Sequence, residues 1–265
     1  MAFYDSGSRR NYFIEFGDGE PVVLLHGISN TGRAWNAQLA PLVQAGYRVI
    51  IPDLAGHGAS ARVTQPLGVP ALADDVVALL DHLSLPTVHM VGLSLGGMVA
   101  MRVTLKMPQR VRRLVVANSF ETTDTDAFRD MARGWSTTFR REDGAVARLE
   151  ATWPLNVNAA FRASAEGMRT YQVWHAIAAN HDGESLACIA EGIAGFDVRD
   201  QLATLTMPTL FIAGSVDGVS PPALSHRMAA RVPGAQCVEL DGAAHISNVD
   251  SAEAFNTALL DFLAG

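Results

Sequence analysis

Ser94 stands in Gly92-Leu93-Ser94-Leu95-Gly96, a G-x-S-x-G spacing. An apolar run (Val88, Met90, Val91) precedes it, and apolar residues at helical intervals follow (Met98, Val99, Met101, Leu105). Strand, sharp turn, helix is the setting in which a serine hydroxyl becomes a nucleophile. The reason is steric. So tight a turn forces its apex residue into a strained conformation, and Gly92 and Gly96 have no Cβ to collide where strand and helix meet. The strain lifts the Ser94 hydroxyl clear of the sheet. It also aims the Leu95 N–H, in the first turn of the helix, at the place where negative charge would develop beside that hydroxyl.

A serine nucleophile needs a base, and the base needs a carboxylate to orient it. In open parallel sheets ligands sit beyond the carboxyl ends of the strands, so polar residues that directly follow apolar runs are the candidates. These are His26, Asp53, Asn118, Asp217 and His245, with Ser94 itself. Asp217 lies in Gly214-Ser215-Val216-Asp217-Gly218 and His245 ends Gly242-Ala243-Ala244-His245. The order Ser94, Asp217, His245 is the one expected for an elbow on such a sheet. Glu121 is the second choice for the acid. His26 and the glycine-flanked His57 read as braces of their loops, and Asp53 as a capping or loop-bracing group.

The elements that must carry these residues follow from the apolar pattern. Val22–Leu25, Tyr47–Pro52, the elbow strand, Val111–Ala117, Pro208–Ala213 and Ala235–Leu240 read as strands, several continuously apolar as if buried on both faces. Asn11–Phe16 reads as an edge strand. Helical periodicity covers Thr31–Ala45, Leu72–Leu85, the segment after the elbow, Pro222–Val232 and Ser251–Leu263, the last with Asp250 and Glu253 as a capping pair. Repeated strand–helix units predict an α/β fold: a mostly parallel sheet with helices on both faces. Between about residues 120 and 199 the strands vanish and amphipathic helices carry Trp135, Trp153 and Trp174. Residues 1–119 and 200–265 therefore form the expected core, and 120–199 an inserted helical lid.

Composition narrows the partners. A chain of 265 residues, 49% of them hydrophobic, can bury one large core. A net charge of −7 argues against phosphate-neutralising contact with nucleic acid and against docking on an anionic membrane. No apolar run is long enough for a membrane span, and the first residues lack the pattern of a signal peptide, so a cytoplasmic protein is expected. Cys188 and Cys237 stand in unrelated contexts and read as two buried, reduced thiols. No metal, nucleotide or flavin motif occurs, so neither a cofactor nor a metal is expected. The oligomeric state is open, a homodimer included.

His26-Gly27 after the third strand, Gly56-His57-Gly58 after the fourth, the Gly92–Gly97 elbow, Asp217 ahead of Pro221-Pro222 and the late His245 together resemble the α/β-hydrolase superfamily over nearly the whole chain. The resemblance implies an eight-stranded sheet and acyl transfer through an acyl-enzyme. Ser94 would attack a carbonyl, His245 would take its proton, and Asp217 would hold the imidazole in the useful tautomer. The N–H groups of Leu95 and, by resemblance, Ile28 would receive the oxyanion. Serine at the elbow differs from the aspartate that haloalkane dehalogenases and epoxide hydrolases of this fold place there. Gly195–Leu202 and Ala243–Val249 resemble 3-oxoadipate enol-lactonases and related carboxylesterases, although His26-Gly27 is the wider superfamily's form. That implies a small ester or lactone substrate, one bearing a carboxylate or other polar tail. Arg133, Trp135 and Trp153 in the lid are the expected binders, with Arg140 and Arg141 nearby. A carbon–carbon bond hydrolase and a ligand-binding receptor with incidental hydrolysis are the alternatives.

Overall fold

The computed structural model describes residues 2–265. Eight strands, β1 (Ala2–Ser6), β2 (Arg9–Phe16), β3 (Glu20–Leu25), β4 (Tyr47–Pro52), β5 (Val88–Leu93), β6 (Val111–Ala117), β7 (Thr209–Gly214) and β8 (Gln236–Leu240), form one sheet. Their order is β1-β2-β4-β3-β5-β6-β7-β8. From β4 to β8 every pairing is parallel, whereas β1 and β2 join as antiparallel strands at one edge.

Eleven helices are described: α1 (Asn36–Gln44), α2 (Val69–His82), α3 (Leu95–Lys106), α4 (Asp126–Phe139), α5 (Gly144–Asn156), α6 (Ala159–Ala163), α7 (Ala165–Ala179), α8 (Gly183–Ile193), α9 (Pro222–Arg231), α10 (Ser247–Asp250) and α11 (Ala252–Ala264). Successive strand side chains point to opposite faces. Val23 and Leu25 therefore join a core with α2, α3 and α9, while Val22 and Leu24 join one with α1 and α11. Val22–Leu25, Val49–Ile51, Leu114–Ala117 and Leu210–Ala213 run continuously apolar because both faces of the sheet are covered there.

Three local readings of the sequence need correction. Arg9–Phe16 is not the edge: β1 lies outside it, in register from Ala2 opposite Phe13 to Ser6 opposite Arg9. The turn between them uses Gly7 at φ 58°, and β1 is too short and polar to show a clear alternation. Helix α2 starts at Val69, ahead of Leu72, with Pro70 in its first turn, where a missing N–H costs nothing. Asp250 does not cap the last helix. It ends the separate α10, and Ser251 precedes α11 without a side-chain cap. Both cysteines are free; Cys188 is buried and Cys237 half-buried.

Helices α4–α8 lie between β6 and β7. The strands leading into and out of them are pinned by an antiparallel bridge between Thr122 and Asp197. The N–H of Val198 donates to the Glu121 carbonyl at 2.9 Å, and that of Thr123 to the Phe196 carbonyl at 2.8 Å. Ile189 and Ile193 of α8 pack into the same core as α2 and α3. Phe139, Leu186, Ala187 and Ala190 make a smaller cluster of these helices' own. This helical layer thus shares a hydrophobic core with the sheet.

Candidate active site

β3 and β5 are adjacent, and the chain runs from β3 to β4 on one side before returning to β5 on the other. Loops leaving the C-terminal ends of β3 and β5 therefore diverge and leave a crevice. Ser94 sits in it with φ 55° and ψ −117°, a left-handed conformation that a side-chain-bearing residue adopts only under constraint. Its neighbours supply that constraint. A Cβ on Gly92 would stand 2.1 Å from the Gly96 carbonyl oxygen, and one on Gly96 2.0 Å from that of Leu25. The Ser94 N–H donates to the Ala117 carbonyl at 3.0 Å, and Ser119 Oγ donates to the Ser94 carbonyl at 2.7 Å.

The loops after β5, β7 and β8 bring three distant residues together. Ser94 Oγ lies 3.1 Å from His245 Nε2, and His245 Nδ1 lies 2.9 Å from Asp217 Oδ2. All three are buried or nearly so. The Asp217 and His245 loops are stitched to each other: the N–H of Val216 donates to the Ala243 carbonyl at 3.0 Å, and that of Ser215 to the Leu240 carbonyl at 3.0 Å.

Asp217 is held from both sides. Oδ1 accepts the N–H groups of Val219 (2.7 Å) and Ser220 (2.9 Å). Oδ2 accepts Ser220 Oγ (2.7 Å) and Asn118 Nδ2 (2.9 Å) besides the imidazole. Burial, the strongest single influence, pushes this carboxyl up. The hydrogen bonds from His245, Ser220 and Asn118 together outweigh it, and the group sits below the ordinary aspartate range. Asn118 has φ 46° and is fixed in turn by Ser247 Oγ, which donates to its Oδ1 at 2.6 Å. Neither Asn118 nor Ser220 carries a motif of its own. The only signal was position, directly after a strand for one and three residues past the acid for the other.

Glu121 is elsewhere. It is buried and accepts from Arg227 Nε at 2.6 Å, with Arg231 Nε at 3.3 Å, both on α9. His26 ties two loops together: its Nδ1 donates to the Gly27 carbonyl at 2.8 Å and its Nε2 accepts the Leu54 N–H at 3.0 Å. His57 stacks edge-on against His26 with ring centroids 5.0 Å apart. Burial holds both imidazoles below the usual histidine range. Asp53 accepts the N–H groups of Gly32 (2.8 Å) and Ala59 (3.0 Å), joining the same loops.

A cavity of about 270 Å³ opens over Ser94 and His245. Ile28 and Leu95 line it on the nucleophile's side. Gly27 brings the chain close enough that a Cβ there would stand 3.4 Å from Ser94 Cβ. Among the described residues no protein acceptor takes the N–H of either Ile28 or Leu95. Two backbone donors without a protein acceptor thus border the cavity that holds Ser94. No group of three or more His, Cys, Asp or Glu side chains among the described residues is placed to hold a metal ion.

Of the expected binders, Trp135 of α4 lines the cavity. Arg133 does not: it is exposed and ion-paired with Asp130. Two helical positions span about 200° of rotation, so Arg133 and Trp135 cannot share a face. Trp153 packs inside the helical layer against Tyr171 (5.4 Å between centroids), Trp174 (5.7 Å) and Phe161 (6.4 Å), away from the cavity. Arg140 is taken up by Glu184 at 2.9 Å and Glu191 at 2.5 Å. The arginine that does face the cavity is Arg148 of α5. On the local sequence alone it looks like any solvated helical arginine.

Residues 20–252 match the model of the alpha/beta hydrolase fold family. The chain belongs to that family. It is 32% identical over 250 residues to RutD of Variovorax paradoxus, named as a carbamate hydrolase, covering 93% of this chain and 92% of that one. It is 30% identical over 247 residues to 3-oxoadipate enol-lactonase 2 of Acinetobacter baylyi, covering 91% and 88%. A thermophilic esterase from Thermogutta terrifontis, solved with malate bound, superposes with a TM-score of 0.92 at 28% identity over 99% of this chain and 97% of that one. This α/β-hydrolase is thus a hydrolase by family and has the eight-stranded, mostly parallel sheet expected of it. Among its described residues no helix is long and apolar enough to cross a membrane.

Proposed function

We propose that this hydrolase cleaves a small carboxylic ester or lactone through an acyl-enzyme formed on Ser94. One observation carries the reading: the chain of hydrogen bonds from Ser94 Oγ to His245 Nε2 (3.1 Å) and from His245 Nδ1 to Asp217 Oδ2 (2.9 Å) at the floor of a cavity. Ser94 Oγ attacks the carbonyl carbon while Nε2 takes its proton. The anionic oxygen turns toward the Ile28 and Leu95 N–H groups, each such donor contributing on the order of 3 kcal/mol to the transition state. The imidazolium then protonates the leaving oxygen. Water, deprotonated by the same nitrogen, releases the acid. Asp217 keeps the proton on Nδ1 throughout, so that Nε2 stays free to accept. The related enol-lactonase and esterase support the carbon–oxygen bond as the target.

A second reading has its own support. The relatives named as carbamate hydrolases are as similar as the enol-lactonase, and a carbamate carbonyl offers the same acyl chemistry, with either its oxygen or its nitrogen substituent as leaving group. A panel of short 4-nitrophenyl esters, lactones and carbamates separates the two by kcat/KM. Ser94→Ala is expected to fold as the wild type does and to lose at least about 10³-fold in kcat. A folded Ser94→Ala protein that turns over esters near the wild-type rate refutes the nucleophile. A single burst without steady turnover by the wild type points to a binding protein instead.

A further inference from the structure

Among the described residues Arg148 is the one permanently charged side chain lining the cavity that contains Ser94 and His245, and no Asp or Glu lines it. In the same helical layer Arg129, Arg133 and Arg140 have carboxylate partners, Arg162 donates to the Pro154 and Val157 carbonyls, and Arg141 and Arg169 are exposed. Arg148 has none, and none of its guanidinium N–H groups meets an acceptor among the described residues; its Nε is fully shielded from solvent. A half-buried guanidinium with a shielded, unpaired Nε and no counter-charge is costly, and proteins rarely leave one so without a use.

Its surroundings fix it in place. Cζ lies 4.1 Å from the centroid of the Trp135 ring and 5.5 Å from that of Phe139, both on α4. These contacts engage the cation through aromatic faces and leave its N–H donors unused. Burial lowers the group to about 10, which keeps it cationic at neutral pH. Thr152, one turn further along α5, also lines the cavity, but its hydroxyl donates to the Arg148 carbonyl at 2.8 Å. The guanidinium is therefore the cavity's strongest unused donor set.

We propose that Arg148 is the specificity-determining residue of this cavity and receives a carboxylate carried by the substrate, remote from the carbonyl that Ser94 attacks. This rests on the hydrolase reading above and narrows it to half-esters, or lactones, of short dicarboxylic acids. A guanidinium matches a carboxylate with two parallel N–H···O bonds, and a planar anion satisfies donors that nothing in the protein satisfies. The size agrees. About 270 Å³ is below the roughly 300–1,000 Å³ of sites for drug-sized ligands, so the substrate is compact. The −7 net charge of the chain does not oppose this, because charges more than about 8 Å away are largely screened at physiological salt.

The test compares mono-(4-nitrophenyl) glutarate with its neutral methyl ester, which has the same length and leaving group. The wild type is expected to favour the anion in kcat/KM. Arg148→Met, which keeps an apolar stem, is expected to lower the anion-over-neutral ratio by roughly 10- to 100-fold. Arg148→Lys, which keeps the charge without the planar fork, is expected to retain part of it. A fall of both substrates together, with the ratio unmoved, shows that Arg148 only braces α4 against α5 and overturns the proposal; so does a wild type without preference. Calorimetry of glutarate binding to Ser94→Ala, with and without Arg148→Met, needs no turnover. Binding that requires Arg148 in a protein that hydrolyses neither ester keeps the anion site and defeats the hydrolase reading. Binding that survives Arg148→Met, or no binding at all, defeats the anion site. If Arg148→Met does not fold, the same comparisons are read from Arg148→Gln, which removes the charge and keeps a polar tip.

Discussion

Replacing Asp217 by asparagine preserves its shape and removes its charge, and the geometry around it decides the outcome. The carboxylate accepts two backbone N–H groups at Oδ1, from Val219 and Ser220, and three side-chain donors at Oδ2, from His245, Ser220 and Asn118. An amide has one oxygen. The backbone donors cannot turn away, so the oxygen stays with them and the NH₂ faces His245. The imidazole must then accept at Nδ1, which puts its proton on Nε2, pointing at Ser94 Oγ, where a base is needed. Loss of the useful tautomer costs on the order of 10⁴ in kcat, or about 5 kcal/mol at about 1.4 kcal/mol per decade.

Stability carries a second signature of the same change. The Asp217 carboxyl sits below its ordinary range in the folded protein, because its hydrogen bonds overcome the opposing effect of burial. A depressed carboxyl stabilises the fold fully above the unfolded value of about 3.9, and that contribution is lost as pH falls through the lower native value. The asparagine variant lacks it. The stability gap between wild type and Asp217→Asn, measured by urea unfolding, is expected to narrow as pH drops below about 4. A folded variant with kcat within 10-fold of wild type on a 4-nitrophenyl ester would refute the tautomer argument. A gap that widens in acid would refute the account of the charge.

Glu121→Gln is expected to leave kcat within about threefold while costing about 1–2 kcal/mol in urea unfolding, since its partners are Arg227 and Arg231 and not the imidazole; a collapse of kcat would make it the acid. Asp250 Oδ2 accepts the N–H groups of Ala244 (2.9 Å) and Asn158 (2.8 Å), so Asp250→Ala strands two donors and is expected to cost about 2–4 kcal/mol and to lower kcat by slackening the His245 loop. Burial, the main influence, raises the Asp250 carboxyl, and its Oδ1 has no partner. Stability tied to that raised value is complete below about 3.9 and lost as pH rises through the native one, so Asp250→Asn should gain on the wild type across that interval in unfolding midpoints.

The meeting of Ser94, His245 and Asp217 was legible because steric and topological rules constrain it: the elbow admits little but glycine beside Ser94, and strand ends dictate where its partners lie. Side chains that reach the site across helices were not. Arg133 and Trp135 are near in sequence, yet α4 turns them to different faces, while Trp135 and Arg148 meet only because α4 packs on α5. Trp153 shows the same blindness, since a tryptophan filling its own layer and one walling a pocket look alike in a helical stretch. Asp250 was read as a local cap, whereas its partners are Ala244, six residues back, and Asn158 on the other side of the chain's long excursion. β1 escaped because its burial alternates, with Tyr4 and Ser6 inward and Phe3 and Asp5 outward, while its residue types do not follow that alternation.

The same Asp250 corner bears on how this scaffold could be re-engineered. Ile246 donates its N–H to the Asn156 carbonyl at 2.8 Å, one residue beyond His245, and Asn158 is gripped by the Asp250 carboxylate. Both ties use main-chain groups of the α4–α8 segment, so a transplant of that segment from a relative with different selectivity keeps the histidine's loop anchored only if its backbone follows the same path at these two points. Splice points that retain residues 156–158 from the recipient would let the wall formed by α4 and α5 be exchanged while the Ser94–His245–Asp217 hydrogen bonds keep their native footing.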